Sequence, residues 1–185
     1  VRLVQRTLKW VRQLQKYVDR PWYPLVLAGL TFSDLFIVVV PSDGIVVASS
    51  AARPKKWFLI GCSMTLGSVL GALLLAALTH AMGESFINWL SPNLLDSEVW
   101  IVTTGWFDRW GVWAVFLVAI SPLAQQPIIL MAAMADMPLP IIGLCVGGGR
   151  LIKFLGYAWI ASHSPKLINK IPALRDELKD LDDPE

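Results

Sequence analysis

The chain has 185 residues, enough for one domain by default, with 55% hydrophobic and 16% charged residues, nine Trp and thirteen Gly. Its mean hydropathy of +0.57 sets it apart from an ordinary water-soluble domain and points to an integral membrane protein. A formal charge of +2 conceals a lopsided distribution of basic residues, and the two cysteines, Cys62 and Cys145, lie in apolar runs that argue against a disulfide framework.

Residues 1–20, VRLVQRTLKWVRQLQKYVDR, repeat with a helical period. Leu3, Val4, Leu8, Val11 and Leu14 share one stripe, and most of Arg2, Arg6, Lys9, Arg12 and Lys16 fall off it. The segment has no short apolar core or small-residue cleavage site, so a signal peptide is not expected. Residues 1–22 read as a basic amphipathic helix on anionic headgroups, with a soluble helix docked on the domain as the plainer alternative.

Residues 25–52 form the first apolar unit, interrupted by Pro41 and Gly44 within PSDG. As one helix it would measure roughly 42 Å at ~1.5 Å per residue, more than a ~30 Å hydrocarbon core requires. It is either a kinked span or a hairpin that turns at Pro-Ser-Asp-Gly and returns to the side it left. Charge favours the hairpin. Six basic residues precede the unit and Arg53, Lys55 and Lys56 follow it, and a single span would put these groups on opposite faces, against the positive-inside rule.

Residues 57–80 read as a spanning helix, with Gly67 and Gly71 at the GxxxG spacing that lets another helix approach. An external loop, 81–111, is rich in Trp, carries Glu84, Asp96, Glu98 and Asp108, and has Arg109 as its only Arg or Lys. Two short stretches in it, ESFINWL and VWIVTTGWFDRW, are amphipathic. The second apolar unit, 112–137, is broken by Pro122 and Pro127 around Ala-Gln-Gln. A second span, 139–162, has Gly143 and Gly147 spaced as GxxxG, and 163–185 is a polar cytoplasmic tail. The expected fold is therefore an all-α integral membrane protein of two re-entrant helical hairpins, each followed by a spanning helix. The two halves enter from opposite faces, a transporter-like inverted repeat with both termini cytoplasmic.

The polar residues of the apolar units are the candidate site. A carboxylate in hydrocarbon costs roughly 2.5–3.5 kcal/mol even on insertion scales, and irregular backbone at that depth needs protein or a wet cavity around it. Asp43 either lines such a cavity, where it could exchange a proton, or caps a turn. Asp34 is its partner there or an interfacial acid. Arg150 and Lys153, spaced i, i+3, share a face of the second span and suit those acids or an anionic headgroup. They lie far for snorkelling to the surface. Gln125 and Gln126 either bond a polar substrate or satisfy freed backbone groups. His80 and His163 fall at span ends and read as interfacial. No metal-ligand cluster, nucleophile elbow or phosphate loop is visible, so no catalytic residue, metal, cofactor or enzymatic activity is expected.

The order of these features resembles the DedA family, also called the VTT-domain or SNARE-associated family. Asp34 with Pro41-Ser42-Asp43-Gly44 is similar to its acid and re-entrant turn. Gly67-Ser68-Val69-Leu70-Gly71 resembles its small-residue helix, and WFDRWG its aromatic helix ending in Gly. Gly149-Arg150-Leu151-Ile152-Lys153-Phe154 is similar to a run in the YqaA-like branch. The likeness covers roughly residues 25–162. It departs at Val118 to Pro127, which has no arginine where many members carry them, and Arg150 and Lys153 would replace that charge. The resemblance implies lipid movement between leaflets of a bacterial inner membrane, linked to protons and envelope homeostasis. The partners it implies are membrane lipids, a polyprenyl phosphate among them, and further copies of the chain, with no nucleic acid. An ion- or solute-coupled transporter and a non-transporting scaffold are the alternatives.

Overall fold

The computed structural model describes residues 20–36, 42–90 and 92–163. Residues 1–19 of the expected interfacial helix at 1–22, Pro41, and almost all of the tail lie outside these residues. The described residues form helices and connecting turns, without a strand. The first unit holds α1 (Tyr23–Asp34) and α2 (Ser42–Ala52), and a 3-10 turn (Pro54–Lys56) leads into α3 (Trp57–Met82). The expected external loop is largely helical, as α4 (Glu84–Leu90) and α5 (Glu98–Trp110). The second unit holds α6 (Val112–Ile120) and α7 (Gln126–Met134), followed by α8 (Leu139–His163).

Length separates two kinds of helix. The segments Pro54–Met82 and Leu139–His163 are long and apolar enough to cross a membrane. At ~1.5 Å per residue α3 and α8 each measure nearly 40 Å. The helices α1, α2, α6 and α7 are only 9 to 12 residues long, or roughly 14–18 Å at the same rise. Each broken unit thus supplies two half-length helices.

The long helices pack on each other more extensively than any other pair, and the half-length helices are shared between them. α1 packs on α3 and α2 chiefly on α8, while α6 packs on α8 and α7 chiefly on α3. Each unit therefore leans its first half on the long helix that follows it and its second half on the other. Small residues allow this closeness. A Cβ on Gly67 would collide with the Ala28 carbonyl and the Thr31 hydroxyl, and one on Gly71 would lie 2.9 Å from both the Phe32 carbonyl and Leu35. Thr31 Oγ1 donates to the Met64 carbonyl at 2.9 Å, tying α1 to the same face. Gly149 does likewise for α6, where a Cβ would lie 2.5 Å from that of Ala119.

Those contacts also give direction. Ala28 and Thr31 meet Gly67, while Phe32 and Leu35 meet Gly71, so α1 runs parallel to α3. Tyr23 Oη and Ser49 Oγ lie 2.7 Å apart, which places the entry and exit of the first unit side by side. The rings of Trp57 and His163 are 6.1 Å apart, so α8 ends where α3 begins. Arg53, Lys55 and Lys56 gather at this end.

One breakpoint differs from expectation. Gly44 is buried in the first turn of α2, so the interruption lies before Ser42 and Asp43 is helical rather than in a turn. An acid in the first turn is favoured there by the positive end of the helix dipole. In the second unit the break is Ser121 to Gln125, including Pro122, while Pro127 sits within the first two positions of α7. Its missing N–H costs nothing at that position, because the first helical amides have no intrahelical acceptor.

Candidate functional site

The helix breaks face one another across the middle of α8. Between them lies a cavity of about 210 Å³, lined by Asp34, Ser42, Asp43, Pro122, Gln125, Gln126, Arg150 and Lys153 among others. The structure thus brings together all six polar residues singled out from the sequence, from three regions separated by up to 119 positions (34 to 153).

Lys153 braces the site. Its Nζ lies 2.7 Å from Asp43 Oδ2 and donates to the Ser121 carbonyl at 3.1 Å, so one ammonium joins the two breaks. Only 6% of Lys153 is exposed. Gln126 adds a second tie, donating from Nε2 to the Asp34 carbonyl at 3.0 Å. That carbonyl is the last of α1, and carbonyls at a helix end are the kind of group a side-chain amide satisfies.

Arg150, also 6% exposed, is held differently. Its Nε donates to Gln125 Oε1 at 2.8 Å, and its guanidinium lies 5.2 Å from the Phe154 ring centroid. It interacts electrostatically with both Asp43 and Asp34, and Ser42 hydrogen-bonds the Asp34 carboxylate. Two cations and two carboxylates balance formally. Each is near a counter-charge, which is what makes this burial tolerable.

Two buried atoms of the site have no hydrogen-bond partner among the described residues, Asp43 Oδ1 and Gln125 Nε2. One accepts and the other donates. Buried polar atoms are ordinarily satisfied, so the pair marks where the cavity has bonding capacity left for an occupant.

The two histidines stand apart from the cavity: His80 is exposed near the end of α3, and His163 is exposed at the end of α8, stacked on Trp159. Among the described residues no group of His, Cys, Asp and Glu could hold a metal ion. The sequence reading passed over Ser42, the Ser121 carbonyl and the aromatic rests of the cations. Phe154 and Tyr157 follow Arg150 and Lys153 by four residues each, and Lys153 Nζ lies 5.9 Å from the Tyr157 ring centroid. An i, i+4 cation–aromatic pair repeated in one apolar helix is a signal that could have been read.

Among the described residues, fold and site together define an all-helical bundle with two helices long and apolar enough to cross a membrane, built around a charge-balanced polar cavity. Comparison with known proteins finds an uncharacterized protein of Haemophilus influenzae that is 24% identical over 140 residues, covering 74% of this chain and 70% of that protein. No family model matches the chain. No solved structure matches it.

Proposed function

We propose that the chain is an integral membrane protein that moves a lipid, or a phosphorylated lipid carrier, between leaflets. The observation that carries this reading is the placement of the cavity. It lies midway along α8, at the inner ends of four half-length helices, inside an exterior that is apolar. Leu59, Leu66, Leu70 and Leu74 are exposed along α3, and Leu144, Leu151, Ile152 and Trp159 along α8. Side chains of this kind facing outwards suit lipid, and charges facing inwards mark a pathway.

On this reading the two broken units are re-entrant hairpins. The adjacent Tyr23 and Ser49 support that for the first. The exchange of half-helices between α3 and α8 supports an inverted repeat. The basic end formed by Arg53, Lys55 and Lys56 lies in the cytoplasm, and α4 and α5, with their acids and Trp89, Trp106 and Trp110, lie at the outer interface. The chain is then DedA-like and belongs in a bacterial inner membrane. Half-helices meeting at polar tips give a headgroup a wet path while its tails stay in lipid. The acids line that path, and the cations hold the headgroup.

The test is leaflet exchange in proteoliposomes with a labelled phospholipid and a polyprenyl phosphate. Exchange by the wild-type chain that falls at least about tenfold, the scale of one lost charge-assisted contact, in Arg150→Ala supports the reading. A folded protein that exchanges neither lipid ends it. The closed Lys153–Asp43 pair favours a second reading, a scaffold whose charges only hold helices together. That reading predicts Asp43→Asn to lower stability with no specific flux to lose.

A further inference from the structure

The four charges do not have equivalent roles. Lys153 is engaged with Asp43 Oδ2 and the Ser121 carbonyl. Arg150 uses Nε for Gln125, and its two terminal amines make no protein hydrogen bond among the described residues. Neither is among the buried, partnerless atoms, and Arg150 lines the open volume. A planar guanidinium whose terminal edge is free offers two parallel donors, the geometry that takes an oxyanion bidentately. Asp43 offers the reverse. One oxygen is bound and the other has no donor, and the carboxylate's soft terminal torsion lets it turn toward a ligand.

Charge then limits what fits. Asp43 is faced by Lys153 and Arg150 from α8 and by Asp34 from α1, while the break between α6 and α7 contributes only uncharged Ser121, Gln125 and Gln126. The site has no net positive charge to hold a dianion, and a dianion would set a fully deprotonated oxygen against the carboxylate. A phosphate monoester with one proton retained carries a single charge and a P–OH donor.

Building on the lipid-headgroup reading, we propose that Asp43 makes the cavity selective for charge state: it binds a phosphate monoester as the protonated monoanion, with the oxyanion on Arg150 and the P–OH donating to Asp43. Gln125 is a positioning residue that aims the guanidinium. The ligand brings its own proton, and no covalent bond is made or broken.

The test is calorimetric binding to the full chain in detergent micelles, at about pH 5.5 and about pH 8, with dihexanoyl phosphatidic acid, dihexanoyl phosphatidylglycerol and inorganic phosphate. Phosphatidic acid binding should weaken about 75-fold between the two pH values, following the monoanion fraction for a second phosphate pKa near 6. Phosphatidylglycerol, a diester without that proton, should show no such fall. In Asp43→Asn the pH ratio should collapse, because an amide also donates and accepts a dianion. If that variant does not fold, the double variant Asp43→Asn, Lys153→Met removes both members of the pair and should show the same collapse. Gln125→Ala should weaken both lipids and leave the ratio unchanged. Equal pH profiles for the monoester and the diester would overturn charge selection and leave the headgroup reading standing. A folded protein that binds none of the three probes would end both. Inorganic phosphate binding as well as phosphatidic acid, and weakening likewise at the higher pH, would support the selection and identify the ligand as the free anion.

Discussion

Arg150 and Lys153 are three residues apart and equally buried, yet removing them should have different consequences. Lys153→Met leaves Asp43 as an unpaired carboxylate, a change that ordinarily costs about 3–5 kcal/mol in a buried pair. The double change with Asp43→Asn should recover most of that loss, and denaturant unfolding of the purified protein measures both. Arg150→Gln should be milder in stability, because Arg150 makes one side-chain hydrogen bond and longer-range charge interactions, where Lys153 makes a close ion pair as well as a hydrogen bond. A larger stability loss for Arg150→Gln than for Lys153→Met would reverse the roles assigned to them. Gln126→Ala frees the Asp34 carbonyl and should cost about 1–3 kcal/mol, the range for a buried acceptor left unsatisfied.

The half-length helices depend on glycine where they meet the long ones. Gly67→Ala has no room for its methyl group, since α3 meets the backbone of α1 there. It should destabilise by about 1–3 kcal/mol, the usual range for overpacking, and the loss should be smaller at Gly71, where part of the obstacle is the flexible end of Leu35. Gly156 in α8 meets nothing within 4 Å, and Gly156→Ala should stabilise by about 0.5–1 kcal/mol through helix propensity. The opposite signs can be read from one set of unfolding curves. If Gly67→Ala were neutral, α1 would not be seated as described.

For the whole molecule the testable feature is sidedness. Lys55, Asp96 and His163 are exposed. With Cys62 and Cys145 replaced, single cysteines at 55 and 163 should label from one side of sealed vesicles and a cysteine at 96 from the other. Labelling of 55 and 96 from the same side would rule out the crossing by α3. The positions of Arg53 and Lys55 at the end where α8 finishes make that outcome unexpected, because basic loops are retained in the cytoplasm.

Composition and local pattern sufficed for the long helices and for the presence of an interruption in each broken unit, though not for its place beside Gly44. Long apolar runs, GxxxG spacing and proline are signals carried by neighbouring residues, and each acts on the backbone within a turn or two. The polar site residues were legible as well, because a charge in an apolar run is conspicuous for its cost. Their pairing was not legible. Whether Lys153 or Arg150 would meet Asp43 depends on how α2 is seated against α8, and nothing within a few residues of either cation specifies that. The same is true of the helical position of Gly44, because the dipole and Asp43 act together only once the break has been located before Ser42. The sequence by itself determined which residues had to be sheltered from an apolar exterior. Only the tertiary structure decided which counter-charge sheltered each, and left one arginine edge and one carboxylate oxygen over.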